Sequence, residues 1–346
     1  MRKKAAVING WLNVWKGQGM TSMDCVSILR KLYGVRKVGH CGTLDPNATG
    51  VLSVAFGSAT RFIEYMSKEK AYNTTVRFGI TTDTDDVWGS TLRHASVSSL
   101  REREVELASR SFLGSTKQTP PLFSAVKIDG VPMYQRGRKG DQESVKLLKS
   151  RDVFVENLRM TEFREGPNAE ADFEIECRSG FYVRSFARDL GNMMDFSYLE
   201  NPNVGGIASK IERTKCGSFV LEDSISLEKL ADLSYHDRRR QILPVDGPLR
   251  DHISQKLQLV DRTDLNRFRS NMLEIPFREN KHDVDSLCRV YCQEARPVFV
   301  GLAKLSTHGR AVKVTPVKLC PETPLFDDSF ERKKKKKKGG FVTYDL

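Results

Sequence analysis

Residues 171–177 constrain the fold of this chain more than any other stretch. Ala171, Phe173, Ile175 and Cys177 alternate strictly with Asp172, Glu174 and Glu176. A period of two puts the apolar side chains on one face of a strand and the carboxylates on the other. A sheet with one wet face is antiparallel, since parallel sheets are covered on both sides. Ser179-Gly180 turns the chain, and beyond it Val183, Phe186, Ala187, Leu190 and Met194 recur at helical spacing. Arg184 and Arg188 stand four apart on one side of that helix. A second alternating strand covers 72–78, with Tyr72, Thr74, Val76 and Phe78 on its apolar face. Residues 10–15 read as a further strand, ended by Gly17 and Gly19. A helix opens with Thr21, whose spacing to Asp24 fits a capping box, and Gly34 stops it. Another helix is expected after Ser99, with Glu102 as its capping partner. Strands and helices mixed without a regular βαβ beat specify α+β, not a doubly wound sheet.

With 346 residues the chain suits one large domain and one small one. The texture changes near residue 245, after which 297–303 and 311–317 look like short strands with little helix nearby. The expected division is 1–245, a small mostly β module over 246–322, and a tail over 323–346. No repeat of 20–50 residues is present. The formal net charge is +12, of which the run 332–338 supplies seven, leaving +5 for the rest. A run of like charges stays solvated, and it suits either a passive tail, non-specific RNA affinity or a nuclear import signal. Any nucleic-acid site in the body must come from local clusters: Arg30-Lys31, Arg36-Lys37 and Arg136-Gly137-Arg138-Lys139. No apolar run reaches the ~18 residues of a membrane span, and no apolar segment follows the charged N-terminus as in a secretory signal. The seven cysteines are odd in number and scattered, which fits free thiols in a reducing compartment. Cys288 and Cys292 lack the Cys or His companions of a zinc site and read, like His308, as structural.

Chemistry concentrates in 38–51, Val-Gly-His-Cys-Gly-Thr-Leu-Asp-Pro-Asn-Ala-Thr-Gly-Val. Its glycines and the Asp-Pro step forbid regular structure through the middle. It nevertheless presents His40, Thr43, Asp45 and Thr49, just after Arg36 and Lys37. A rigid loop carrying one carboxylate is a place for a nucleophile or a base. An Asp-Pro turn with local hydrogen bonds explains the same residues.

This loop resembles the catalytic motif of the TruB family of pseudouridine synthases, approximately GHxGTLDPxATGVL. Further segments resemble that family in the same order: 10–22; Lys70-Ala71-Tyr72; 82–89; 118–125 with Tyr134 and Arg138; 177–184 continuing to Asp189-Leu190-Gly191; and 213–219. Gly17 stands where the family usually has proline and Gly137 where it has alanine, and Arg178 and Phe181 also depart from the pattern. The resemblance implies a mainly antiparallel catalytic domain, followed by a PUA-like RNA-binding module that is matched more weakly. It implies an isomerase needing neither cofactor nor metal, which breaks the N-glycosidic bond of a uridine in RNA, turns the base and rejoins C5 to the ribose. Asp45 is then the nucleophile, Arg184 its partner, and Tyr72 the ring against the target base. His40, Gly42, Thr43, Leu44, Tyr182, Lys16 and Arg138 bind substrate. A stacked uridine must flip out to reach Asp45. Asp83, Asp85 and Asp86 read as turn-forming caps, not a Mg²⁺ site.

The implied substrate is the T-arm of tRNA, modified at position 55 without a guide RNA or obligate protein partner, by a monomer. A guide-dependent enzyme of an H/ACA particle and an RNA-folding factor without catalysis are the competing readings. Cytosol, plastid or mitochondrion, and nucleus all remain open as compartments.

Overall fold

The computed structural model describes residues 8–124, 126–138, 147–194, 205–259, 261–276, 286–293, 297–308 and 311–321. The expected tail with its 332–338 basic run lies outside these residues. The chain opens with β1 (Gly10–Lys16), α1 (Ser22–Tyr33), β2 (Val38–His40), β3 (Thr49–Phe56) and β4 (Glu69–Phe78). The short hairpin β5 (Ile80–Thr82) and β6 (Thr91–His94) precedes α2 (Glu102–Ser109) and β7 (Gly114–Gln118). A second small hairpin, β8 (Lys127–Ile128) and β9 (Val131–Pro132), leads into α3 (Met133–Arg138). Then come β10 (Arg151–Arg164), β11 (Glu170–Arg178), α4 (Val183–Asn192), β12 (Gly206–Cys216), β13 (Phe219–Val220), β14 (Ile225–Ser226), α5 (Leu227–Asp232) and α6 (Tyr235–Arg240).

Apart from the two small hairpins, these strands form a ten-stranded sheet ordered β14-β1-β3-β12-β4-β11-β10-β7, with β13 beside β12 and β2 beside β3. The pairs β1–β14 and β12–β3 are parallel and the others antiparallel, as the α+β reading requires. β11 buries Ala171, Phe173, Ile175 and Cys177 and turns its carboxylates outward. In β3 the same alternation serves two cores. Leu52, Val54 and Phe56 pack with Val26 and Leu29 of α1, while Val51 and Ala55 pack with Trp11, Ala59 and Phe62 on the opposite face. α1 carries the expected capping box: Thr21 Oγ1 accepts from Asp24 N, and Asp24 Oδ2 accepts from Thr21 N. Gly34 ends the helix at φ 66°. The helix expected after Ser99 starts later, at Glu102, because Arg101 occupies the cap and Glu104 reaches back to its N–H.

A second sheet, ordered β15-β17-β18-β19-β16, comprises β15 (Lys256–Leu259), β16 (Leu273–Pro276), β17 (Leu287–Cys292), β18 (Val298–His308) and β19 (Ala311–Leu319). The expected scarcity of helix here is corrected by α7 (Arg262–Arg269), capped by Asp261 and buried through Leu265 and Phe268. Two apolar residues in eight give too weak a stripe to be read beforehand. Cys288 and Cys292 are buried, and neither is in a disulfide. The two sheets share a core: the Phe62 and Phe299 rings lie 5.4 Å apart. Trp11 Nε1 donates to Val245 O at 2.8 Å, and Tyr291 OH donates to Asp246 Oδ2 at 2.7 Å.

Gly50 is the tightest crossing of β3 over β12. Its φ is +103°, and a methyl group there would lie 2.2 Å from Arg213 O. Gly50→Ala is expected to cost at least about 2 kcal/mol, read as a lower urea midpoint, because neither backbone can retreat within the sheet. An unchanged midpoint would contradict this crossing.

Candidate active site

The segment between β2 and β3 makes few backbone hydrogen bonds of its own, and buried side chains hold its carbonyls from beneath. Lys16, at the end of β1, is fully buried. Its Nζ donates to Gly17 O and Met20 O at 2.9 Å each and to Pro46 O at 3.4 Å. Arg213 of β12, also fully buried, donates through Nε to Val51 O at 2.8 Å, through Nη2 to Gly42 O at 3.1 Å and through Nη1 to Thr43 O at 3.4 Å. Ser22 at the start of α1 clamps Leu44: its Oγ accepts from Leu44 N at 2.8 Å and donates to Leu44 O at 3.0 Å. Gly42 has φ +80°, and a methyl group there would press on Lys70 Nζ at 3.3 Å.

Asp45 rises from this bed and meets Arg184. Arg184 Nε lies 2.8 Å from Asp45 Oδ2, with the arginine side chain 5% exposed and the aspartate 35%. The other guanidinium nitrogens are committed to backbone: Nη1 donates to Thr84 O at 2.9 Å and Nη2 to Phe123 O at 2.8 Å. Asp86 Oδ2 is 3.9 Å from the same Nε, so two carboxylates flank one buried cation. A guanidinium fixed on three sides cannot follow the carboxylate if it swings, so it sets the direction in which Asp45 points. Arg184 itself sits in the first turn of α4. Gln118 positions that turn, accepting from Tyr182 N at 2.8 Å and donating to Tyr182 O at 3.1 Å.

Tyr72 is buried on β4, in register with Arg213 on one side and Ile175 on the other. Burial pushes its phenol far above the usual tyrosine range, while the nearby Arg213 guanidinium pulls the other way. His40 ends β2 partly buried, and burial pushes its imidazole down, so the ring is neutral at pH 7. Tyr182 is half-buried beside the ion pair. Its phenol is raised by burial, with Arg151 and Arg184 opposing the shift and Asp45 adding to it. Thr43 and Gly42 are exposed on the loop, and Leu44 is buried beneath it.

The fold therefore brings together Asp45, Arg184, Tyr72, His40, Gly42, Thr43, Leu44 and Tyr182. Lys16 is expected as a substrate contact, yet its ammonium lies under the loop and is consumed by three carbonyls. Arg138 ends α3, and its side chain lies outside the described residues. Asp83 and Asp86 accept hydrogen bonds within the 83–90 turn, and Asp85 pairs with Arg188 at 2.9 Å. Among the described residues no group of three His, Cys, Asp or Glu side chains could hold a metal ion. Sequence reading missed Arg213, Ser22 and Gln118. Each lies inside a matched segment, but only strand register and loop packing reveal what it grips.

A family model described as TruB family pseudouridylate synthase (N terminal domain) matches residues 30–183. The chain is 40% identical over 254 residues to the tRNA pseudouridine synthase B of Synechococcus elongatus, covering 73% of this chain and 81% of that protein. It is 40% identical over 228 residues to the protein of the same name from Symbiobacterium thermophilum, covering 66% and 73%. Among solved structures, a Cbf5-Nop10-Gar1 complex contains a chain with TM-score 0.63 and 23% identity, over 90% of this chain and 84% of that one. An archaeal box H/ACA Nop10-Cbf5 complex gives TM-score 0.62 at 19% identity, over 90% and 86%. At that identity these two establish likeness of fold.

Burial pushes the Lys16 ammonium down to about 8; Cys25, Asp45 and Asp24 oppose this and Arg213 adds to it. Between that value and 10.5, the unfolded chain binds a proton that the folded chain has lost. Stability from this group therefore rises with pH across that window, by on the order of 3 kcal/mol, and below it the folded state carries the full cost of the buried charge. Urea titrations of the unaltered chain and Lys16→Met should diverge across the window. Parallel pH profiles would show that Lys16 is not the group.

Proposed function

Because the chain belongs to the TruB family of pseudouridylate synthases, we propose that it isomerises the T-loop uridine of tRNA, position 55, to pseudouridine, acting without a guide RNA. The observation that carries the site assignment is Asp45, partly exposed on a loop whose backbone is otherwise immobilised, paired at 2.8 Å with a buried arginine.

The reaction breaks the N1–C1′ bond, makes a C5–C1′ bond, and exchanges the C5 proton for one on N1. Atoms and electrons are conserved, so no co-substrate enters. Asp45 is the nucleophile. A positive charge fixed against Oδ2 stabilises the anion and leaves the rest of the carboxylate to approach the substrate. Tyr72 supplies a flat apolar surface for the freed uracil while it turns. Its hydroxyl, kept protonated by burial, is a hydrogen-bond partner and not an anionic base. A uridine within the folded T-arm reaches Asp45 only when everted, at a cost of a few kcal/mol. His40, Gly42, Thr43 and Tyr182 line the approach, and a neutral His40 can donate or accept toward the displaced RNA. Lys16 and Leu44 act through the loop, not by contact. Arg138 we assign to the phosphate backbone.

The module over 246–322 grips the tRNA away from the everted base, through contacts that weaken as salt rises. The division at about residue 245 and the action of the chain as a monomer without a protein partner belong to the same proposal. No helix among the described residues is long and apolar enough to cross a membrane. Seven cysteines, none of them in a disulfide, support work in a reducing compartment, whether cytosol or organelle.

Incubation of the purified chain with unmodified tRNA should give pseudouridine in the T-loop. Product that required added guide RNA would reverse the guide-independent assignment. Asp45→Asn should lower product formation by more than about a thousand-fold. Arg184→Lys keeps the charge but loses the three-way grip, so kcat should fall about a hundred-fold with KM little changed. Undiminished turnover by Asp45→Asn would dismiss the nucleophile.

A further inference from the structure

The turn between β5 and β6 has two unlike sides. Its inner side is bonded throughout. Thr82 Oγ1 donates to Asp86 O at 2.8 Å, Asp83 Oδ1 accepts from Ser90 N at 2.7 Å, and Asp86 Oδ1 accepts from Thr84 Oγ1 at 2.7 Å and from Trp88 N at 2.9 Å. Ala208 N donates to Asp85 O at 3.1 Å, tying the turn to β12. A methyl group at Gly89 would lie 2.3 Å from Thr84 Oγ1, so the turn is closed as well as bonded. Through Thr84 O and the Asp86 carboxylate, the same side braces Arg184.

Its outer side carries exposed apolar side chains. Trp88 is 52% exposed, with Val87 next to it and Leu92 on β6 also exposed. Scattered surface apolar residues need no explanation, but a half-exposed tryptophan on a backbone this firmly bonded, with two more exposed apolar side chains within four positions, does. Trp88 stands three contacts from Asp45: its amide donates to Asp86, Asp86 faces Arg184, and Arg184 holds Asp45. Everting a uridine unstacks its neighbours and leaves their ring faces bare at the mouth of the site. An exposed indole on a bonded turn is a surface on which such a face can settle, and stacking of this kind is tolerant of base identity.

We propose that Trp88 stacks on an unpaired RNA base flanking the everted uridine and so positions the T-arm over Asp45. The proposal rests on the reading of this chain as a T-loop uridine isomerase. Trp88 is a positioning residue: it aligns RNA and does not touch the reacting atoms.

The test uses the full chain and an unmodified T-arm RNA hairpin. The other two tryptophans differ in setting: Trp11 is fully buried and Trp15 is mostly so. Trp88 emission should therefore be quenched when RNA is added to Asp45→Asn, and the quench should vanish in the Asp45→Asn, Trp88→Phe double variant. On the otherwise unaltered chain, Trp88→Ala should raise KM roughly ten-fold with kcat nearly kept, and Trp88→Phe should restore most of the loss. Turnover by the unaltered chain on the same hairpin reads the assigned activity separately from the stacking. Unchanged KM and RNA affinity in Trp88→Ala, or a quench that survives Trp88→Phe, would overturn the proposal. So would a Trp88→Ala effect confined to concentration-dependent self-association, which would make the patch a contact between copies.

Discussion

A loop with three glycines and a proline has no backbone ladder to hold it, so its shape is imposed by cations beneath it. Lys16 and Arg213 together direct six donor contacts at backbone carbonyls between Gly17 and Val51. Carbonyl oxygens are partial charges, and meeting them with full charges in a dry setting gives strong hydrogen bonds without neutralising the cations. The positive charge left over surrounds the one carboxylate that the loop presents. Fixing the loop and creating a favourable field for an anion are thus one act. This also explains why both cations are fully buried, a costly position that only dense hydrogen bonding offsets.

The sheet delivers those groups to one place. Lys16 ends β1, Tyr72 lies in β4 and Arg213 in β12, with β12 pairing with both β3 and β4. Register fixes Tyr72 opposite Arg213, so neither residue can shift along its strand without a slip of the whole pairing. Arg184 arrives from the other direction, on a helix whose Phe186 ring meets Phe112 and Phe173 edge-on at 5.0 and 5.3 Å. The second sheet is tied to the same scaffold through Trp11, Phe62 and Phe299. RNA gripped there would be held at a set distance from Asp45 and not on a free tether.

Local features were the legible ones. The Thr21–Asp24 box, the Gly34 stop, the 171–177 alternation and the Arg184 helix stripe each involve residues within a few positions, and the chain folds as they predict. Arg213, Ser22 and Gln118 were illegible because each acts on a partner 22 to 171 positions away. Nothing in a serine at the start of a helix announces that it will clamp Leu44. The burial of Lys16 is illegible for a related reason: nothing within a few positions announces that the 42–46 loop will return over it. The parallel partner β14 and the short α7 were missed because two-residue strands and sparsely apolar helices leave no periodic signal.

The departures from the family pattern sort by their distance from Arg184. Gly137 replaces the usual alanine, and a methyl group there would come within 2.9 Å of the Phe123 ring. Phe123 is the residue whose carbonyl accepts Arg184 Nη2. Glycine at 137 makes room for a large ring at 123 while the carbonyl stays where the guanidinium needs it, a volume exchange that conserves the contact. Phe181 is buried, with its ring 6.2 Å from Phe186. Arg178 turns away to Glu156 at 2.9 Å and lies over the Phe154 ring at 4.5 Å. Both changes are absorbed by packing and surface pairing on the strand that precedes α4, and neither enters the shell around the guanidinium. These three substitutions thus fall where volume or surface charge can adjust, and none of them is a donor aimed at Asp45 or its loop.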